Sequence, residues 1–266
     1  MRRERGTARV VRARRGQQLP LALPRRKPGP GRPPNGERAG VSHWRRPAVD
    51  RHAGIHVTMR LGAGRGNLRA PATYAVVRGA LAAGCDRPGF RLVQFSVQPN
   101  HLHLMVEADD NVALARGMQG LAIRTAKRLN RLFRTRGRVF ADRYHAHVLR
   151  APREARHALA YVLCNANKHG TSLSGPGAPA PWQVAAHHGF DPCSSAPYFD
   201  GWRAGVTTPA ALTGRAPPVA RARSWVLNVG WRRHGLVDPR EVPGRRAKTV
   251  GVEGASGASG ARVSPS

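Results

Sequence analysis

Carboxylates are scarce in this chain of 266 residues: 14 Asp plus Glu stand against 45 Lys plus Arg, a net charge of +31. Most cations therefore have no acidic partner, and such an excess repels itself in a compact monomer while attracting a polyanion, above all nucleic acid. A ribosomal-type basic protein shares this balance. The cations are mostly arginine, which suits bidentate contacts to phosphate and guanine. Cysteine is also sparse. Cys85, Cys164 and Cys193 are unpaired in spacing and form no C-x-x-C, which argues against a disulfide framework and a zinc ribbon and fits a reducing cytoplasm. No apolar run approaches membrane-spanning length, no apolar segment follows the basic N-terminus, and no Gly-x-x-x-x-Gly-Lys phosphate loop occurs. The reading is of a cytoplasmic, nucleoid-associated protein without a membrane partner.

Residues 1 to about 50 are rich in Arg, Pro and Gly with almost no apolar periodicity, so a disordered basic arm is expected. Within it, Pro30-Gly31-Arg32-Pro33 resembles the Gly-Arg-Pro centre of an AT-hook, which lays an arginine (here Arg32) along a narrow minor groove. The arginine usual before the Gly is replaced by Pro30, so a plain basic linker reads equally well. Further divisions are expected at 51–169 for the main domain, 170–250 for a Trp- and Arg-rich C-terminal extension, and 251–266 for a low-complexity disordered tail.

The chemistry concentrates in Pro99-Asn100-His101-Leu102-His103-Leu104-Met105-Val106-Glu107. Apolar residues following a Pro-Asn turn predict a strand. Side chains two apart share a strand face, so His101, His103 and Met105 point one way while Leu102, Leu104 and Val106 point the other. Two neutral imidazoles side by side can grip one divalent cation. A second pair, His145-Ala146-His147, shows that the bare pattern is weak. The apolar strand around the first pair is what distinguishes it.

Alternation over Ile55–Leu61 predicts a first strand, and helical spacing over Pro71–Ala83 predicts a helix. Strands follow at Phe90–Val97 and Asn100–Glu107. A long helix then starts after Asp110 or Asn111, with Leu114, Met118, Leu121, Ala122, Thr125, Leu129, Leu132 and Phe133 on its apolar stripe. Its other face carries Arg116, Arg124, Lys127, Arg128, Arg131 and Arg134 with no acidic residue to pair them, so it is read as phosphate-facing, against a merely solvated face. A strand over Val139–Leu149 and a helix over Pro152–Lys168 complete the pattern. The order β-α-β-β-α-β-α predicts an α+β, ferredoxin-like split βαβ sheet with the histidine strand central, helices on one face and the other face open.

On the last helix, Tyr161 and Asn165 are one turn apart, so phenol and amide can reach one spot. A phenol attacks a phosphodiester once a metal polarises the phosphate; alternatively Tyr161 is an amphipathic packing residue. Asn165 offers an oxygen ligand.

The histidine strand, followed by Ala160-Tyr161-Val162-Leu163-Cys164-Asn165-Ala166-Asn167-Lys168, resembles the single-tyrosine HUH transposases, and among them the REP-associated tyrosine transposases, over roughly residues 40 to 170. The resemblance implies His101 and His103 as metal ligands, Tyr161 as nucleophile and Asn165 as the polar residue completing metal binding. Ala166 follows Asn165 where that family often has proline. The implied reaction is metal-assisted transesterification on single-stranded hairpin DNA, with Mg²⁺ or Mn²⁺, a 5′-phosphotyrosine intermediate and a monomer or homodimer as the working unit. Arg32, Arg116, Arg124, Lys127, Arg128, Arg131, Arg143 and Lys168 are the residues expected to touch DNA. A non-catalytic nucleic-acid-binding descendant on the same fold is the competing reading. The C-terminal aromatics, including Trp182, Trp202, Trp225 and Trp231, read either as a base-stacking appendage or as anchors fastening the extension to the core.

Overall fold

The computed structural model describes residues 47–165, 190–203 and 216–243. The expectations for the N-terminal arm, the 170–181 linker and the C-terminal tail, and those for Arg32, Lys168 and Trp182, lie outside the described residues. The elements run β1 (Gly54–Arg60), α1 (Pro71–Ala82), β2 (Asp86–Arg87), β3 (Phe90–Val97), β4 (His101–Ala108), α2 (Asn111–Phe133), β5 (His145–Leu149) and α3 (Pro152–Leu163). A 3-10 turn (Ala196–Tyr198), a short helix α4 (Trp225–Asn228) and a 3-10 helix (Gly230–His234) follow.

The sheet has five strands in the order β2-β3-β4-β1-β5, every neighbour antiparallel. This is the expected α+β split βαβ arrangement with the histidine strand at its centre. The turn into that strand is closed by the Gln98 amide donating to the His101 carbonyl at 2.8 Å, with Pro99 supplying the fixed φ such a turn favours. Asp110 is the residue that caps α2, its carboxylate accepting from the Val112 and Ala113 amides at 2.8 and 2.7 Å.

Strand alternation divides the apolar residues into two cores. Leu102, Leu104 and Val106 join Ile55, Val57, Phe95 and the buried stripes of α1 and α2 in one layer. Across the sheet, Met105 and Val93 pack with α3 and with Phe190, Phe199, Trp202, Leu227 and Trp231. Only α1 and α2 therefore lie on one face. The other face, expected open, is covered in part by α3 and the C-terminal residues. The apolar stripe of α3 (Ala155, Leu159, Val162, Leu163) needs a partner surface, and the α1–α2 face is already occupied.

Two strand boundaries differ from expectation. The last strand begins at His145 rather than Val139, with Phe140 joined to the sheet by an isolated bridge to Leu61. Asp142 turns its carboxylate onto the Arg143 amide at 2.7 Å, a local bond that competes with the strand ladder. The helix expected to reach Lys168 has its last α3 residue at Leu163, with Cys164 already out of helical geometry at φ −105° and ψ 14°.

The C-terminal residues are fastened by buried polar clasps as well as aromatics. Asp191 receives Arg69 in a bidentate pair at 2.8 and 3.1 Å and also accepts from Ser96 and the Cys193 amide. Glu107, at the end of β4, accepts from the Arg223 amide, the Ser224 amide and the Ser224 hydroxyl at 2.9, 2.9 and 2.7 Å. Arg156 on α3 forks onto Glu241 at 2.6 and 2.7 Å. Trp231 is wholly buried against Phe199, and Trp202 donates to the Ala196 carbonyl, so these two tryptophans are anchors.

Removing the Glu107 carboxylate would leave two buried donors of Ser224 and the part-buried Arg223 amide without an acceptor. Glu107→Ala is expected to lower unfolding free energy by about 2–4 kcal/mol. Urea denaturation checks this, and limited proteolysis is expected to cut first in residues 216–243. Unchanged stability would mean that the clasp contributes nothing.

Candidate active site

The antiparallel register sets a histidine-rich face. Thr58 lies opposite His103 on one side and His145 on the other, while His56 lies opposite Met105 and His147. Directly opposed residues share a face, so His56, His101, His103, His145 and His147 all project to the side away from α1 and α2. His101 and His103 meet through their Nε2 atoms at 3.0 Å, with ring centroids 4.7 Å apart. The Nδ1 atoms point into support. His101 Nδ1 lies 2.8 Å from Asn100 Oδ1, and His103 Nδ1 lies 3.2 Å from His56 Nε2 and 3.3 Å from Thr58 Oγ1.

Tautomers follow from those partners. Asn100 Oδ1 only accepts, so His101 carries its proton on Nδ1. Burial, followed by the charges of His147 and His145, pushes His56 down to about 4, so it is neutral at physiological pH, and in the tautomer with its proton on Nδ1 its Nε2 accepts from His103 Nδ1–H. Both Nε2 lone pairs of the His101–His103 pair are then directed at one point. A ligand imidazole whose other nitrogen donates to a neighbour is the arrangement that orients metal-binding histidines.

Helix α3 crosses this face and brings Tyr161 over it. The phenol ring lies edge-on to His103 with centroids 5.1 Å apart, and to His56 at 5.6 Å. Asn165 follows one turn later, fully buried, and among the described residues neither its amide oxygen nor its nitrogen has a hydrogen-bond partner. A buried amide left unsatisfied costs about 1–3 kcal/mol. Its retention is the observation that a further ligand would explain. Among the described residues there is no group of three or more His, Cys, Asp or Glu placed to hold a metal. The two imidazoles fit a divalent cation, to which the Asn165 amide, one turn after Tyr161, could add an oxygen donor.

The remaining expected residues do not converge on this point. Helix α2 packs through Leu114, Met118, Leu121, Thr125 and Leu129 on the opposite side of the sheet. Arg116, Lys127 and Arg131 are exposed there, and Arg124 and Arg128 are partly covered where α1 approaches. Arg143 is exposed just before β5. His147 is engaged by Glu154 at 2.6 Å. Two residues of the site, His56 and Thr58, were not singled out from the sequence. Their alternation in the first strand was visible, but their place beside His103 depends on which strand is its neighbour.

The family model described as "Transposase IS200 like" matches residues 54–162, from the start of β1 to the turn of α3 that carries Tyr161. Over these residues, from β1 to the Tyr161 turn of α3, the chain is similar to an IS200-like transposase domain. Among solved structures, a REP-associated tyrosine transposase described as bound to a REP hairpin is 22% identical. That likeness covers 50% of this chain and 76% of the other, with a TM-score of 0.41. A protein from Deinococcus radiodurans R1, described as a candidate transposase, is 16% identical over 36% of this chain and 78% of its own, with a TM-score of 0.31. No curated protein matches. His101, His103 and Tyr161 all fall inside the matched residues, and Asn165 lies just past them. None of the described helices is long and apolar enough to cross a membrane.

If Asn165 is kept for ligand binding rather than stability, Asn165→Leu is expected to stabilise the unliganded protein by about 1–2 kcal/mol, because an orphaned amide is replaced by an apolar group of similar size. Thermal and urea unfolding measure this. A loss of stability would show that the amide is satisfied in the folded protein.

Proposed function

We propose that this transposase domain cuts and rejoins single-stranded DNA, hairpin-bearing DNA in particular, by direct attack of Tyr161 on a phosphodiester. The observation that carries the reading is the Tyr161 ring standing against His103 and His56, beside the paired Nε2 atoms of His101 and His103. A Mg²⁺ or Mn²⁺ ion bound by His101, His103 and Asn165 would polarise the scissile phosphate and favour the phenolate. His56 and Thr58 hold the His103 ring so that Nε2, not Nδ1, faces the phosphate. The Tyr161 oxygen forms a bond to phosphorus while the bond from phosphorus to the 3′ oxygen breaks. The proton lost by the phenol is balanced by the one gained by the departing 3′-OH. The resulting 5′-phosphotyrosine retains the energy of the broken ester, so a second 3′-OH can displace the tyrosine without another energy source.

The cations divide the task by position. Arg143, exposed just before β5, would meet the strand near the histidine face, and Lys168 would add a further phosphate contact. Arg116, Arg124, Lys127, Arg128 and Arg131 lie on the far side of the sheet and would hold a different part of the DNA, such as a duplex stem. Arg32 would add a minor-groove contact from the N-terminal arm. The protein would act in the cytoplasm at the nucleoid, as a monomer or homodimer.

Labelled hairpin DNA with a single-stranded flank, incubated with protein and Mn²⁺ or Mg²⁺ and run on a denaturing gel, tests the reaction. A protein-linked band is expected that disappears with EDTA and with Tyr161→Phe. DNA binding without any covalent species under either metal would favour the non-catalytic alternative. His56→Ala is expected to weaken Mn²⁺ binding, followed by titration calorimetry, by about 10- to 100-fold through misorientation of His103. Wild-type affinity in that variant would remove His56 from the site.

A further inference from the structure

The two anchor tryptophans leave a third unexplained. Trp231 and Trp202 are 0% and 8% exposed, whereas Trp225 is 46% exposed. It occupies the first position of α4, whose next two residues, Val226 and Leu227, are buried and hold the helix to the core. Leu227 lies so close to Gly54 that a Cβ there would come within 2.7 Å of it, which fixes α4 against the start of β1. Ser224 caps α4 and is itself gripped by Glu107. Trp225 is thus an outward-facing aromatic on a rigid mount.

Its surroundings are cationic. The Arg233 guanidinium lies over the Trp225 ring at 4.9 Å from its centroid and makes no ion pair among the described residues. Arg221 and Arg223 are exposed just before the cap. The nearest carboxylate along this segment, Glu107, is buried and occupied by the backbone it clasps. The ring also rests on Gly230, where a Cβ would come within 2.7 Å of it, so the indole is held in one pose rather than swinging in solvent.

Strand alternation relates this mount to the active site. Glu107, Met105 and His103 alternate with the core residues of β4 and share its histidine face. Glu107 is four residues from His103, about 13 Å along the strand at roughly 3.3 Å per residue. We propose that Trp225 and Arg233 form a stacking platform for an unpaired base of the same single strand that enters the Tyr161 site, with Arg233 also meeting its phosphate. The proposal rests on the single-stranded DNA reading above. An indole and a guanidinium stacked together, with the neighbouring Asp200 already paired to Arg232 at 2.9 Å and Arg221 and Arg223 exposed nearby in sequence, suit a nucleobase next to its phosphate. A stacked base tolerates sequence, so this platform would hold the strand and leave recognition to other residues.

The test uses the full chain with a labelled single-stranded oligonucleotide and a duplex of equal length, affinity being read by anisotropy at one salt concentration and then across a salt series. Trp225→Ala is expected to weaken single-strand binding roughly 10- to 100-fold, with Trp225→Phe restoring most of it and duplex binding unchanged. The slope of log affinity against log salt should stay as in the wild type for Trp225→Ala, because no phosphate contact is lost, and should become shallower for Arg233→Gln. Wild-type tryptophan fluorescence should be quenched by the oligonucleotide, and that quench should shrink in Trp225→Phe. Unchanged single-strand affinity in Trp225→Ala would overturn the platform, as would an equal loss on duplex. So would conversion of a dimer to a monomer with affinity retained, which would make Trp225 a contact between copies. The covalent Tyr161 band, assayed at saturating DNA, separates the two readings. If it forms in the wild type while Trp225→Ala binds normally, only the platform fails; if the wild type neither binds the single strand nor forms the band, both fail.

Discussion

The register of β4 between β1 and β3 is the constraint on which this structure depends. Side chains alternate strictly along a strand, so a slip of one residue would turn His101 and His103 into the apolar layer and push Leu102 and Leu104 out of it. Leu102, Leu104 and Val106 are almost wholly excluded from solvent against α1 and α2, and they resist that slip along the length of the strand. The same register brings Thr58 beside His103 and places His56 on its face, where it can accept from Nδ1. Core packing on one side of the sheet therefore sets the orientation of imidazoles on the other.

The position of Tyr161 depends on a second layer. Tyr161 reaches His103 only because α3 lies across the histidine face, and α3 is held there from outside by the C-terminal residues. Its apolar stripe meets Phe199, Trp202, Leu227 and Trp231, and Arg156 is forked onto Glu241. Glu107 joins the two parts from the sheet side: one carboxylate at the end of the histidine strand receives the backbone of the segment that leads into α4. The extension is thus a wall of the site, and the aromatic residue it leaves outside, Trp225, faces solvent from the same wall.

The asymmetry of the two faces also separates the charges. The arginines of α2 have no acidic residue on their own helix and sit behind the sheet, away from the phenol. Cations thus lie behind the sheet on α2, while the paired imidazoles and Tyr161 lie on its other face.

What the sequence determined by itself was local and periodic. Alternation predicted the histidine strand and which of its residues share a face, Asp110 was recognisable as a cap, and the apolar stripe of α2 was legible, because each depends only on neighbours along the chain. The motif pairing of His101 and His103 with Tyr161 was equally plain as a resemblance. Only the tertiary structure decided which strands flank β4, and with that the supporting roles of His56 and Thr58. It also placed α3 on the face that periodicity alone had left open, and it sorted the tryptophans into the buried Trp202 and Trp231 and the exposed Trp225. The physical reason is common to all three. A stripe or an alternation specifies that a surface must be covered, but the partner that covers it is chosen by contacts between residues far apart in the chain.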